Sequence, residues 1–375
     1  MDATIAQFIF ISYFSVIIFL LAVILKSIPW SQAKLYHGVR RKAVLFSSLT
    51  LGSFAHTWYY MFKFLARSFQ DYETQKSVSQ ALDKASLSER ITAWLIDSTL
   101  FEQAWATVCA GPLNWWWSEQ ICAYTVGAWT VFLFVEGQRY KVKHIWAYML
   151  LGQLVAISVA SNLFYLALSL SSYTPGPNEI TLRAKPILWL SILISLLTVA
   201  NTPYTTEQTF LPNLLIMHAM LTVPLFYVSF RKYSFDSTGR FSIHFRTLHF
   251  IIFLFTSLMR ARTIITAFQA VPYYTEPSVA DLYSLLNLRP LLHALWETLH
   301  SHPAQSSIGW DAVWTSGSFV VWTLRDSLFK LDLVATMLVH TALFSAGTVA
   351  SFLELSKGKG RKERAGPAAT VKKEE

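Results

Sequence analysis

The sequence predicts an all-α protein: a polytopic bundle of transmembrane helices with seven to nine spans, plus amphipathic helices at the membrane interface. Hydrophobic residues make up 53% of the 375 residues and charged residues only 14%, whereas soluble domains carry about 25% charged residues. Several apolar runs reach the roughly 20 residues that a helix needs to cross a bilayer. Basic residues collect between those runs. We therefore expect residues 1–355 to form one transmembrane helical domain.

The first elements follow from alternating apolar and basic segments. Residues 5–25 predict a span, and the loop 26–42 holds five Lys or Arg and no acid, which indicates a cytosolic loop. A second span is predicted over 43–66. Residues 67–111 mix both signs and form the first predicted extramembrane insertion, with Ser88 as a helix N-cap. We expect one or two helices there on the lumenal surface.

The middle of the chain predicts two long spans and one doubtful segment. Residues 112–135 and 145–170 are apolar and are joined by a basic hinge at 139–143. Small residues in the second of these spans favour close helix packing. Pro and Gly predict a loop over 171–186. Residues 187–202 are apolar but short, so they are the candidate for a re-entrant segment.

Further spans are predicted over 211–230, 247–271 and 331–353, and Pro212 suits a first helical turn. Residues 272–311 are polar and form the second predicted extramembrane insertion. Residues 309–324 are amphiphilic.

The number of crossings depends on the two doubtful segments. If residues 187–202 and 309–324 both fail to cross, seven full spans result. If both cross, there are nine.

The tail, residues 356–375, is charged and is expected to be disordered. It ends in Lys372, Lys373, Glu374 and Glu375, which resembles the dilysine retrieval signal of endoplasmic-reticulum membrane proteins. Such signals are addresses read by a receptor and act only in the cytosol. The alternative is a chance basic and acidic terminus. The resemblance implies an endoplasmic-reticulum protein with a cytosolic C-terminus.

Missing motifs limit the chemistry. The chain has no DDxxD or DxDD acid motif, no P-loop, no GxSxG or HExxH pattern and no histidine boxes. Its two cysteines, Cys109 and Cys122, make no disulfide framework. We expect no metal and no cofactor. The net charge of +9 lies in loops and tail, so it concerns membrane topology and not nucleic acid.

Polar residues at membrane depth are the candidate functional residues, because they are costly there. His56 and Glu119 lie toward the lumenal ends of antiparallel spans and could face each other. A carboxyl group in an apolar site has a raised pKa and can donate a proton, and aromatic faces stabilise a nearby cation. These are the requirements for acid-initiated cyclisation of an isoprenoid. The pocket would hold His56, Glu119, Tyr59, Trp115, Trp116 and Trp117.

Each candidate also has a structural interpretation. Glu119 could pair with Lys63 at a hydrated interface, and His56 could be an interhelical hydrogen bonder. The tryptophans could be an interfacial belt.

Four further candidates lie on other segments. Arg260 could clamp substrate, pair with Glu119 or snorkel to the interface. Asp311 could cap a helix or be a second acid, and packing is the favoured account of His218. Asn213 is a further candidate for substrate binding.

Five stretches carry a family resemblance. They are Leu100-Phe101-Glu102-Gln103-Ala104-Trp105, Trp115-Trp116-Trp117-Ser118-Glu119-Gln120, Trp146-Ala147-Tyr148-Met149-Leu150-Leu151-Gly152-Gln153, Phe210-Leu211-Pro212-Asn213-Leu214-Leu215 and Gly309-Trp310-Asp311. In texture and order, the chain resembles the fungal integral-membrane terpene cyclases of meroterpenoid pathways, of the ascochlorin, ascofuranone and macrophorin type. The resemblance implies an isomerase of secondary metabolism. Such an enzyme cyclises a prenylated aromatic or quinone-type substrate by protonating an epoxide or olefin, without metal or diphosphate.

Three functions are therefore considered. The first is an intramembrane terpene cyclase using Glu119 or Asp311 as general acid, aided by His56 or His218. The second is a transporter or carrier of a small hydrophobic molecule, because polar residues on several helices suit a translocation path. The third is a non-catalytic membrane scaffold.

Overall fold

The computed structural model describes residues 3–34, 37–77, 85–173, 183–230, 239–275, 286–328 and 330–364. These residues form an almost wholly helical bundle, which confirms the all-α prediction. Among the described residues, five helices are long and apolar enough to cross a membrane: Ala3–Ser27, Pro186–Tyr204, Glu207–Phe230, Phe245–Ala270 and Leu331–Ser356. The dilysine-like terminus and most of the predicted loop 171–186 lie outside the described residues.

The first helices are α1 (Ala3–Ser27), α2 (His37–Ser77), α3 (Leu87–Asp97), α4 (Leu100–Cys109), α5 (Gly111–Tyr124), α6 (Thr130–Arg139), α7 (Ile145–Leu154) and α8 (Ile157–Leu170). A π-helical turn, Thr125–Trp129, joins α5 to α6. The later helices are α9 (Pro186–Asn201), α10 (Glu207–Phe230), α11 (Phe245–Ala270), α12 (Arg289–Ser301), α13 (Pro303–Thr323) and α14 (Leu331–Arg364). Two short strands, β1 (Arg183–Ala184) and β2 (Ile243–His244), pair antiparallel.

The bundle has two ends. At one, which we call the basic end, Lys42 Nζ lies 2.8 Å from Asp326 Oδ1, and β1 pairs with β2. At the opposite end, α3 packs on the start of α1, where Gln7 donates a hydrogen bond to Thr92 (2.7 Å). The helices α4 and α12 also lie at the opposite end, because α4 precedes α5 and α12 precedes α13 there.

The segment 67–111 holds two helices besides the end of α2, as the sequence predicts, but the N-cap prediction is wrong by two residues. Ser86, not Ser88, caps α3 in a capping box with Glu89. The backbone and hydroxyl of Ser86 hydrogen-bond the Glu89 carboxylate, which lowers its pKa. The capping box satisfies two helix-end donors reciprocally, so α3 has a defined start on the surface.

Residues 145–170 do not form the single span that the sequence predicts. The helix breaks at Val155 and Ala156, where Ala156 is extended. A Cβ added to Gly152 would lie 2.8 Å from Ile157 Cδ1 and 3.3 Å from Ala160 Cβ. The two half-helices α7 and α8 therefore fold back on each other, and the glycine permits their close approach.

The hairpin made by α7 and α8 enters and leaves at the basic end. Farther from the break, the rings of Tyr148 and Phe164 are 5.3 Å apart. Beyond them, Ser171 Oγ donates to the Tyr140 carbonyl at 3.0 Å. These pairs run antiparallel, so the tip at 155–156 lies inside the bundle and the predicted fourth span is re-entrant.

The doubtful segment 187–202 lies in a helical stretch, Pro186–Tyr204, that is long and apolar enough to cross a membrane. Helix α9 continues through a 3₁₀ turn, Thr202–Tyr204, and packs along α10. Asn213 Nδ2 ties the two helices together by donating to the Thr198 carbonyl at 2.9 Å. The prediction for Pro212 is also wrong, because α10 begins at Glu207 and Pro212 lies past its first turn.

Helix α14 is bent sharply at Ser345, whose φ is 68° and ψ is 155°. After the bend, Thr348 bonds Thr256 at 3.0 Å, and Phe352 lies 6.0 Å from Phe253 in ring centroids. Helix α11 begins at the basic end, so the second half of α14 runs toward that end. The first half starts shortly after Asp326, also at the basic end, and the predicted single span 331–353 is thus a second re-entrant element.

The helices that run between the two ends are α1, α2, α5 with α6, α9, α10, α11 and α13. In the described part of the chain these are seven segments. The sequence predicts nine spans when 187–202 and 309–324 both cross; both run between the two ends here, but 145–170 and 331–353 turn back. Helix α13 begins at Pro303, inside the segment 272–311 that the sequence predicts to lie outside the membrane. Helix α14 extends past residue 355 to Arg364, and residues 365–375 lie outside the described residues.

Candidate functional site

A cavity of about 620 Å³ lies above the hairpin tip, on the side of the opposite end. Helices α1, α2, α4, α5, α10 and α13 surround it. Its wall is mainly apolar and aromatic, and includes Phe64, Phe101 and Trp105. The volume lies within the roughly 300–1,000 Å³ of small-molecule sites, which combine apolar walls with a few placed polar groups.

The hairpin tip forms the floor of the cavity. Residues 152–157 all line it. Tyr13 Oη on α1 donates to the Leu154 carbonyl at 2.6 Å, which satisfies an acceptor at the end of α7. Gln153 Nε2 donates to the His218 carbonyl on α10 at 3.4 Å. The tip is thus held from both sides.

Asp311 on α13 holds the other half of the tip. The backbone N–H groups of Ile157 and Ser158 donate to its Oδ2 (2.9 Å) and Oδ1 (2.8 Å). Thr315 Oγ1 adds a longer bond at 3.4 Å. Backbone donors inside a membrane need internal partners, and a negative charge suits the positive end of a helix. Asp311 is therefore a helix cap, as one interpretation held, but it caps α8 and not its own helix.

Replacing Asp311 with Asn is expected to lower the free energy of unfolding by about 1–3 kcal/mol. The amide has one acceptor oxygen, so one of the two N–H groups of α8 loses its partner. Unfolding of the purified protein in detergent micelles measures the change.

Asp71→Asn is the control for that measurement, because it removes only one partner of an exposed i,i+4 pair with Arg67, worth about 0.3–0.5 kcal/mol. Equal losses in the two variants would contradict the capping role of Asp311.

His218 and Glu102 also line the cavity. His218 Nδ1 lies 2.8 Å from the Leu214 carbonyl. A carbonyl only accepts, so Nδ1 carries a hydrogen and Nε2 is the nitrogen that can take up a proton. Glu102 on α4 is half-buried in the wall, and no ion pair within the described ranges uses it. Glu102 and Asp311 are the two carboxyl groups among the described wall residues. Both oxygens of Asp311 already accept hydrogen bonds from backbone N–H groups.

Glu119 is fully buried but does not line the cavity. Its Oε2 lies 3.2 Å from Arg260 Nη1, and the guanidinium of Arg260 lies 3.9 Å from the Trp116 ring centre. The alternative partner Lys63 instead lies over Tyr59 at 4.6 Å. The geometry agrees with the counter-ion interpretation of Arg260.

Arg260 also caps the bend of α14. Its Nε donates to the Leu343 carbonyl at 2.9 Å and its Nη2 to the Ala342 carbonyl at 3.1 Å. These carbonyls precede Ser345, at the end of the first half of α14. A positive charge suits the negative end of a helix. Asp311 and Arg260 thus each cap a helix end inside the bundle. The acidic side chain accepts from the N–H groups at the start of α8, and the basic side chain donates to the carbonyls at the end of the first half of α14.

The structure does not assemble the predicted pocket of His56, Glu119 and the three tryptophans. Trp115 is buried in the main core. Trp117 Nε1 donates to the Leu295 carbonyl at 3.3 Å. None of the three tryptophans lines the cavity, because their faces pack against α11, α12 and the core.

His56 lies at an interface between α2 and α13. Trp314 Nε1 donates to its Nδ1 at 3.1 Å, and the Trp310 ring lies 4.5 Å away. Gly52, on the same face, lies close to Trp314. His56 thus packs against α13, as the interhelical interpretation holds, while Tyr59 is exposed.

Of the remaining candidates, His218 and Asp311 line the cavity and Asn213 does not. Asn213 instead ties α9 to α10. The sequence-based candidates did not include Glu102 or the hairpin tip, which also line the cavity. The signal for the tip was the pair Gly152-Gln153 near the centre of an apolar run. Among the described residues, no cluster of three His, Cys, Asp or Glu side chains could hold a metal ion.

Comparison with known proteins adds one finding. A family model described as "Protein of unknown function DUF2834" matches residues 120–169. The matched segment runs from the last third of α5 almost to the end of α8 and so includes the whole hairpin tip. No curated protein matches the chain, and no solved structure matches it.

Proposed function

We propose that the chain is an intramembrane cyclase, an isomerase that closes rings in a prenylated aromatic or quinone-type substrate without metal or cofactor. The observation that carries the proposal is the composition of the cavity. It combines an apolar, aromatic wall with a carboxyl group at Glu102 and an imidazole at His218. The family resemblance of the sequence supports the same reaction.

The proposed acid is Glu102. In its protonated form, Glu102 gives its proton to an epoxide oxygen or an olefin carbon of the substrate. With an epoxide, the C–O bond breaks as a carbon–carbon bond forms. A general acid of this kind contributes about 10²–10⁴-fold. The sequence suggests Glu119 or Asp311 for this role. Glu119, however, is paired with Arg260 outside the wall, and Asp311 accepts hydrogen bonds from the backbone N–H groups of Ile157 and Ser158.

The other wall residues handle the developing charge. The faces of Phe64, Phe101 and Trp105 can stabilise a cation that passes next to them, and the fixed carboxylate of Asp311 adds a negative charge at the floor. His218 Nε2 takes the proton that the final cation loses from carbon. That proton returns to Glu102 through solvent, so the product is an isomer with the mass of the substrate.

The proposed location is the endoplasmic-reticulum membrane of a fungal cell, with the basic end of the bundle and the C-terminus in the cytosol. Basic segments at one end support this orientation. The resemblance of the last four residues to a retrieval signal supports the compartment.

A carrier of a small hydrophobic molecule is the second candidate. The observation that favours it is the re-entrant hairpin, because half-helix ends meeting deep in a bundle form the substrate sites of many transporters. A carrier would move its ligand across vesicle membranes without changing it.

The test is to express the chain in a host without such pathways and to supply a farnesylated aromatic that carries a terminal epoxide. We expect a new chromatographic peak with the mass of the substrate. Well-folded protein that gives no peak, but releases the same compound across vesicle membranes, would contradict the cyclase and support the carrier.

A further inference from the structure

We propose that the cavity is loaded sideways from the bilayer, through an opening between α1 and α10. Its ligand is then an amphiphile that partitions into lipid, with a long apolar chain and a small polar head. This proposal depends on the proposed function only for the reaction, and it adds the class of substrate that the cavity accepts. The route is argued from the positions of α1, α10, the hairpin tip and α4 around the cavity.

The two sides of the opening are held to the hairpin tip but not to each other. Helix α1 is tied by Tyr13 to Leu154, and α10 by His218 to Gln153. Both helices pack on α7, and no comparable packing joins α1 to α10 in the described parts of the chain. A gap above the tip is the consequence.

Helix α4 closes the top of the gap. The ring of Phe101 lies 4.9 Å from Tyr13 on α1. One turn on, the ring of Trp105 lies 5.6 Å from His218 on α10. Helix α4 thus touches both sides of the opening. Glu102 sits between these two contacts and lines the cavity, so a polar head would meet the carboxyl group directly under α4.

The rim of the opening is apolar, and its residues contribute both to the cavity wall and to the outer surface of the bundle. Ile9 and Val16 on α1 and Leu215 on α10 line the cavity, and all three are also exposed on the outside of the bundle. Helices α1 and α10 are both apolar enough to span a membrane. In a bilayer their outer faces meet acyl chains, so the cavity and the lipid are continuous along this rim.

The two cysteines of the chain allow this route to be measured without catalysis. Cys122 lines the cavity, whereas Cys109 does not. A Cys109→Ala background leaves Cys122 as the single thiol. Addition to a maleimide forms one S–C bond and moves the thiol proton to the neighbouring ring carbon. In phosphatidylcholine vesicles, we expect a long-chain alkyl maleimide to label Cys122 about tenfold or more faster than a charged, membrane-impermeant maleimide supplied on both sides.

Blocking the rim supplies the second comparison. Leu215→Trp should slow labelling by the long-chain reagent about tenfold or more, because the indole fills the opening. Ile216→Trp is the matched control: residue 216 is 48% exposed and residue 215 is 58% exposed, but residue 216 does not line the cavity. Its labelling rate should stay unchanged. A second pair on α1, Val16→Trp and Ile18→Trp, makes the same comparison if one variant folds poorly.

Three results would overturn the route. One is labelling by the charged reagent that is as fast as labelling by the long-chain one, which would mean an opening to water. Another is equal slowing in the rim and control variants of both pairs. The third is failure of the long-chain reagent to label Cys122. A chain that passes these tests but forms no product would keep the lateral route and lose the cyclase.

Discussion

Glu102→Gln is expected to lower the rate of product formation by about 10²–10⁴-fold, the usual contribution of a general acid. Glutamine keeps the size and hydrogen-bonding capacity of the side chain but has no proton of comparable acidity to give. Glu102 is half-buried, with no ion pair among the described residues, so the variant should accumulate and bind substrate normally. The measurement is the initial rate of product formation per mole of purified protein in vesicles.

Glu89→Gln is the matched control for this variant. It removes a carboxyl group from the neighbouring surface helix α3, outside the cavity wall, and glutamine can still complete the capping box. Its rate should equal that of the unmodified chain. If Glu102→Gln also keeps the full rate, the proton comes from another group and the assignment of Glu102 is wrong.

Arg260→Met is expected to lower the free energy of unfolding by about 3–5 kcal/mol, the usual cost of breaking a buried ion pair from one side. The change leaves the Glu119 carboxylate buried without its counter-charge. It also removes two donors from the carbonyls of Ala342 and Leu343. Unfolding in detergent micelles measures the loss. Arg262→Met on the same helix is the control, because Arg262 is partly exposed and lies over the Tyr204 ring, a contact worth about 0.5–1 kcal/mol.

The double variant Arg260→Met with Glu119→Leu separates the two roles of Arg260. Replacing both charges removes the unpaired carboxylate, so the double variant should be more stable than Arg260→Met alone. It should remain less stable than the unmodified chain, because the carbonyls before Ser345 are still without donors. A double variant no more stable than Arg260→Met would contradict the coupling of the pair.

The sequence predicts the fold class and most helices because hydropathy reports which residues lie at membrane depth. It does not report the direction in which the chain runs there. The apolar run 145–170 has enough residues for one crossing, and it also suits two half-helices that turn back. What makes the turn stable is Asp311, 154 residues after Ile157. No local pattern contains that partner.

The candidate site was predicted in part for a related reason. Asp311 and His218 do line the cavity. Selecting polar residues at membrane depth also selected Glu119 and Arg260, because a buried charge is costly in a substrate site and in a structural site alike. These two residues form an ion pair, and Arg260 caps the helix end before Ser345. Polarity at membrane depth therefore does not distinguish a residue of the cavity wall from one that caps a helix end. Glu102 was passed over because α4 lies in a segment of mixed charge.

The distance between the hairpin and its cap has a consequence for biosynthesis. A ribosome adds about 5–20 residues per second, so the 154 residues that separate Ile157 from Asp311 take about 8–30 s to synthesise. Throughout that interval the first N–H groups of α8 lack their final acceptor. The nascent hairpin therefore stays without this cap until α13 has been made, and its tip can reach its final position only then. A chain that stops before residue 311 would therefore lose the hairpin as well as α13.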